Sequence, residues 1–315
     1  MSGPNKFPDW IVEAVNQNQN QLYPKSKEYF EKVIELFPHF DRSFLSIPAT
    51  SDVGVLTICS PGDVKRYYGI ESPHEFILLN ICELFHYQMT YQLRELGISF
   101  LSNLVEGRFY VSAILNRSMF EVVCINYYTF RRVEKQFKEC MKYLEIAAKT
   151  KSSLERSKLF NKYYQGIYEI FSNLVDANAA TSIDWKKYFL DKFNTTITVG
   201  DEVKKVHVND AIKDIEKQSG LPLFSTYNVL SEFVHPNAGS KMLVVNTNRA
   251  HDLMMEALTI GDNKANAEAA LFYIDHVAES MFYTWTLALT LFDRGQNLIS
   301  ALDSLLQMRS SRDVH

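Results

Sequence analysis

From Glu106 to Phe137 the chain has no proline and a single glycine, Gly107. Such a stretch keeps every backbone N–H donor and lacks the residues that break helices. With apolar residues recurring every three or four positions, it has few options besides one long helix or two in line. The rest of the chain follows the same habit. Only 12 Gly and 9 Pro are spread over 315 residues, which excludes collagen-like and linker-dominated chains. Hydrophobic residues make up 46% and aromatics 13%, enough for a real core and too much for wholesale disorder. Thirty-three basic against 37 acidic residues leave a net charge of −4. That balance argues against a broad basic surface for duplex DNA and leaves room only for a local patch.

Several segments define the helical plan. Pro24 to Phe37 carries apolar residues at Tyr29, Phe30, Val33, Ile34 and Phe37, and Pro38 is expected to end that helix. Residues 47–68 are punctuated by Pro48, Gly54, Pro61 and Gly62 and read as irregular. Ser72-Pro73-His74-Glu75 has the form of a helix start, with Ser as cap, Pro in the first position and an acid in the first turn. Two further helical stretches are expected between Tyr143 and Asp176, and a buried core helix over Ala269 to Phe292. One segment departs from the pattern. Thr195 to Val199 is β-branched throughout, Gly200-Asp201 follows, and valines stand at 203, 206 and 208. This predicts a small hairpin over Thr195 to Val208. Asn209 then caps a short helix that Gly220 ends. The expected fold is mainly α: an antiparallel helical bundle forming a single domain over 1–315, with a β-hairpin insertion at 195–208.

Cys59, Cys82, Cys124 and Cys140 form no C-x-x-C pair, so they read as reduced, mostly buried thiols of a cytoplasmic protein. Met1 to Trp10 has no apolar run of the kind a signal peptide needs, and no membrane association is expected.

Two segments carry candidate chemistry. In Thr226 to Ala238, the apolar positions Tyr227, Leu230, Phe233 and Val234 give a helix with one buried side, and Pro236 ends it after His235. Ser231 and His235 then share a face, one turn apart. His235 stands at the helix C-terminus, where the dipole favours an imidazolium; that group could bind phosphate, act as an acid, or simply cap the last carbonyls. In Ile114 to Tyr128, Arg117 and Glu121 are i, i+4 neighbours among apolar residues. They read either as an internal salt bridge or as a buried cation oriented by Glu121 towards a cleft. Arg131, Arg132, Lys135 and Lys138 form a basic face that could touch RNA phosphates if it borders a cleft.

Asn116-Arg117-Ser118-Met119-Phe120-Glu121 on one helix, and Tyr227-Asn228-Val229-Leu230-Ser231-Glu232-Phe233-Val234-His235-Pro236 on a later one, resemble bacterial helical proteins of the HEPN superfamily. The two stretches cover under a tenth of the chain. The resemblance implies an antiparallel helical bundle, usually a dimer. It also implies a metal-independent endoribonuclease or RNA-binding effector in toxin or antiphage systems, working with RNA or a protein partner and without a cofactor. His235 matches the family histidine. The family arginine would fall at Asn228, Val229 or Leu230, so it is missing here. The corresponding mechanism attacks with an RNA 2′-OH, with His235 as acid or base and Arg117 on the phosphate. Glu121, Tyr227, Ser231 and Asn237 would position the substrate. A non-catalytic sensing or scaffold protein is the alternative. A third reading comes from spacing alone: Glu83/His86 and Glu232/His235 are two Glu-x-x-His pairs, as in di-iron carboxylate bundles, with Glu121 and Glu279 as further ligands.

Overall fold

Gly107 is where the long helical region divides. Its φ of 74° is left-handed, Arg108 N–H reaches back to the Asn103 carbonyl (2.9 Å), and Gly107 N–H bonds the Leu104 carbonyl (3.1 Å). This is a Schellman ending, which satisfies the last carbonyls and needs a residue without Cβ. It separates α3 (Pro73–Val105) from α4 (Phe109–Lys149). The computed structural model describes residues 7–45, 66, 73–178, 206–235, 245–249, 256–260 and 267–312. Among these the remaining elements are α1 (Asp9–Gln17), a 3-10 turn at Gln19–Gln21, α2 (Pro24–Leu45), α5 (Ser153–Asn178), α6 (Val208–Ser219), α7 (Leu223–Val234) and α8 (Ala267–Arg312). Two short antiparallel strands, β1 (Val245–Arg249) and β2 (Glu256–Ile260), pair from Val245 with Ile260 to Arg249 with Glu256. The protein is mainly α, as its sequence requires.

The hairpin expected at Thr195 to Val208 falls almost wholly outside the described residues. Residues 195–205 lie outside the described residues, and Val208 opens α6. The Gly220 stop holds: it has φ 71° and follows Ser219 directly. Pro38 does not end its helix, because α2 continues to Leu45. The N–H that proline removes is one helical bond. Against that loss, Phe37 and Phe40 on either side of it are buried on Trp285, with centroids at 5.6 and 4.9 Å. Burying one such ring is worth about 1.5–3 kcal/mol, so packing carries the helix through.

The chain forms two compact units. Unit 1 comprises Met1–Pro48, Thr90–Cys124 and Val208–Leu289; unit 2 comprises Ala49–Met89, Ile125–His207 and Thr290–His315. Trp285, fully buried, centres unit 1 and is ringed by Phe7, Phe37, Phe40 and Phe100. Phe109 stacks on Tyr273 (5.1 Å), and seven residues on in each helix Asn116 donates to Ser280 (2.8 Å). The equal steps show α4 and α8 running parallel here, two turns in register.

Unit 2 is built on close approaches. A Cβ on Gly166 of α5 would overlap the Cys140 sulfur of α4, and a Cβ on Gly295 of α8 would overlap the His86 ring of α3. Glycine at both places lets the partner side chain lie against the opposing helix backbone. Tyr163 donates to the fully buried Glu75 (2.8 Å), and the Tyr168 hydroxyl meets His74 Nδ1 (2.8 Å). Cys82, Cys124 and Cys140 are free and buried, and burial pushes the Cys140 thiol up to about 11. No helix among the described residues is long and apolar enough to cross a membrane.

Candidate functional site

Arg117 and Glu121 lie one turn apart on α4, and the helix alone brings their tips together: Nε donates to Glu121 Oε1 at 3.0 Å. Tyr227 arrives from α7. Its hydroxyl accepts from Arg117 Nη2 (3.0 Å) and donates to the same Glu121 oxygen (2.9 Å). The three groups close a ring of hydrogen bonds. The guanidinium also stands over the Tyr227 ring, 5.1 Å from its centroid, and that ring stacks on Phe120. The ring forms here because Leu230 and Phe233, on the same side of α7 as Tyr227, are buried.

The Arg117 side chain is 19% exposed and that of Glu121 34%. Burial opposes the guanidinium charge. The bond to Tyr227 and the Glu121 carboxylate outweigh it, so Arg117 is held above its ordinary value. Burial, together with Glu121, raises the Tyr227 phenol against the opposing pull of Arg117. Of the two expected readings of Arg117, the internal salt bridge is the one observed, and the guanidinium is largely shielded from water.

His235 ends α7 as Pro236 dictates. It is the C-cap, its backbone is extended (φ −76°, ψ 151°), and its N–H bonds the Ser231 carbonyl at 3.0 Å. Its side chain is exposed. Eight residues separate it from Tyr227, a rise of about 12 Å along the helix. Between the two, Phe233 packs on Phe272 and His276 of α8. Ser231 donates to the Tyr227 carbonyl within its own helix (2.9 Å). Asn237 lies outside the described residues. Of the expected constellation, the fold gathers Arg117, Glu121 and Tyr227.

The metal alternative does not assemble. Among the described residues no three His, Cys, Asp or Glu side chains are grouped to hold an ion, and Glu83, His86, Glu232 and His235 are all described. His86 has a different task. It is 2% exposed, lies against Gly295, meets Gln296 Nε2 at 3.1 Å and sits edge-on to Phe130. Burial lowers its pKa to about 4, so it is a neutral core imidazole at neutral pH. Burial, with Asp303 nearby, raises the Glu83 carboxyl. Glu279 accepts from the Tyr283 hydroxyl at 3.2 Å. Glu232 is exposed.

A second cluster of the same three residue types was not legible in the sequence. In unit 2, Arg294 of α8 donates to Glu134 of α4 (Nη1 to Oε2, 2.6 Å) and stands over Tyr127, 5.0 Å from the ring centroid. Tyr127 and Glu134 are two turns apart on one face of α4, the only local hint. Arg294 lines a cleft of about 450 Å³, which Lys138 also borders. The basic face read from the sequence thus touches a cleft at Lys138, flanked by Glu134. Set against models of known families, curated proteins and solved structures, the chain matches none.

Proposed function

We propose that this chain is a non-catalytic helical sensing or scaffold protein. The observation that carries this reading is the closed ring of Arg117, Glu121 and Tyr227. An arginine that stabilises phosphate charge must offer its donors to the substrate. Here the guanidinium donates to a carboxylate and a phenol of its own protein. His235 stands about 12 Å further along α7. The ring fastens α7 to α4 and holds shape. The test is incubation of the purified protein with structured and single-stranded RNA in the presence of chelator. The expected result is intact RNA with wild-type protein and with His235→Ala alike.

A second reading is favoured by one feature, the exposure of His235 at a helix C-terminus beside Pro236 and Asn237. On that reading the protein is a HEPN-like, metal-independent endoribonuclease of a toxin or antiphage system, acting as a homo-oligomer. It requires that chelator-resistant RNA cleavage be present and that His235→Ala abolish it without changing the melting temperature. That pair of results would displace the scaffold reading.

A further inference from the structure

Charge is unevenly spread along the chain. Residues 131–162, the second half of α4 and the first turns of α5, hold ten Lys or Arg against four Asp or Glu, a net +6 in a chain whose total is −4. The whole segment belongs to unit 2. At the turn between the helices it stands clear of the core: Lys151 to Lys158 are all exposed, although α5 is helical from Ser153. Two of the most exposed large apolar side chains among the described residues sit here, Leu154 at 68% and Ile146 at 51%. Leu154 does not serve the helix start. Ser152 caps α5, accepting from Glu155 N–H (3.4 Å), and the apolar pair that fixes such an entry would join positions 151 and 156, which are Lys and Arg. Arg156 instead donates to the Thr150 carbonyl from Nε and Nη2 (3.3 and 2.8 Å) and holds the turn closed.

Each of the two apolar residues has lysines on its own helix face. Lys142 and Lys149 flank Ile146 at four and three positions, and Lys151 and Lys158 flank Leu154 at three and four. Among the described residues none of these four lysines is in an ion pair. Lys162, one turn on from Lys158, stands over the Tyr143 ring next to Lys142 (5.8 Å), which brings the two lysine faces side by side. Cations around exposed aliphatic groups fit a lipid interface: the lysines reach anionic headgroups while the aliphatic groups enter the acyl boundary. A single-stranded nucleic acid is held by cations together with exposed aromatics on which bases stack. Here the exposed apolar groups are aliphatic, and Lys162 covers Tyr143. Such attachment needs no spanning helix, and among the described residues no helix is long and apolar enough to cross a membrane. We propose that the α4–α5 turn docks on an anionic phospholipid surface, with Leu154 and Ile146 inserted and Lys142, Lys149, Lys151 and Lys158 on the headgroups. This goes beyond the scaffold reading and uses no member of the Arg117 ring.

Co-sedimentation of the full chain tests this with vesicles of phosphatidylcholine alone and of phosphatidylcholine mixed with phosphatidylserine. The mixed vesicles are expected to bind, about tenfold or more tightly than phosphatidylcholine alone, and less well as salt rises. Lys151→Glu combined with Lys158→Glu should weaken binding by about tenfold or more. Leu154→Ser should weaken it by about fivefold or more. All three positions are exposed, so the melting temperature should not change. Leu154→Trp should add an emission that shifts to the blue on the mixed vesicles and is quenched by brominated lipid beyond the quenching of wild type. Absence of binding to the mixed vesicles, undiminished binding by Leu154→Ser, quenching no greater than wild type, or single-stranded RNA bound more tightly than the vesicles at the same salt would each overturn the proposal.

Discussion

Each unit contains a cluster of Arg, Glu and Tyr, and the two differ in which member comes from afar. In unit 1 the ion pair is local, Arg117 with Glu121, and the tyrosine arrives from 110 residues away. In unit 2 tyrosine and glutamate share a helix, and the arginine arrives from 160 residues away. The first pair forms as soon as α4 forms; docking of α7 adds only the phenol. The second ion pair does not exist until α8 packs against α4. A salt bridge made within a helix adds a few tenths of a kcal/mol, whereas one made by packing ties two elements together and is costly to break. Closure differs as well: the Tyr227 hydroxyl both accepts and donates, while Arg294 keeps an N–H without an acceptor.

The largest expected effect separates the units by pH. His86, in unit 2, has its pKa lowered to about 4 by burial, against an ordinary value of 6.5. Its contribution is fully present above pH 6.5 and is lost as pH falls towards 4, because the unfolded chain then takes up a proton that the folded one refuses. The loss is up to about 3 kcal/mol. Urea unfolding at pH 7 and pH 4.5 should show wild type losing more stability than His86→Leu, since the carboxylates are common to both. Equal losses would mean that His86 is not the buried neutral group described here.

Next comes the remote pair. Glu134→Ala should cost about 2–3 kcal/mol, because it leaves a mostly buried guanidinium without its carboxylate. Glu121→Ala should cost about 1 kcal/mol, because Arg117 keeps the Tyr227 hydroxyl. If the two substitutions prove equally costly by chemical denaturation, the distinction between local and remote pairs fails. Tyr227→Phe sharpens the same contrast. It keeps the ring on Phe120 and removes two hydrogen bonds, for an expected loss of about 1–2 kcal/mol. A double-mutant cycle on Arg117 and Tyr227 should then return a favourable coupling of about 1 kcal/mol. The smallest effect is at His235. With an exposed side chain, His235→Ala should change stability by under about 0.5 kcal/mol. A loss of 1–3 kcal/mol would instead identify a structural hydrogen-bond centre.

How much was legible depended on distance along the chain. Arg117 with Glu121 is an i, i+4 pair, and Tyr227 showed as the polar-tipped member of an apolar stripe, so all three could be singled out before packing was known. His86 was visible only as half of a spacing motif; its seat against Gly295 depends on a residue more than two hundred positions later. Arg294 offered no periodic partner, and nothing local distinguishes it from a surface arginine. Pro38 failed in the other direction. The local rule is sound, but Trp285, far along the chain, overrides it.

By itself the sequence determined the helical class, the stop at Gly220 and the end of α7 before His235. These depend on backbone donors, on glycine's access to positive φ and on the clash ahead of proline, all set within a few residues. Tertiary structure alone decided which polar groups meet. It carried α2 through Pro38, began α6 at Val208 within the stretch read as a hairpin, made His86 a core imidazole rather than a ligand, and brought Arg294 to Glu134. The physical reason is that burial and desolvation energies come from neighbours remote in the chain, and at a few kcal/mol per side chain they outweigh the tenths that local preference supplies.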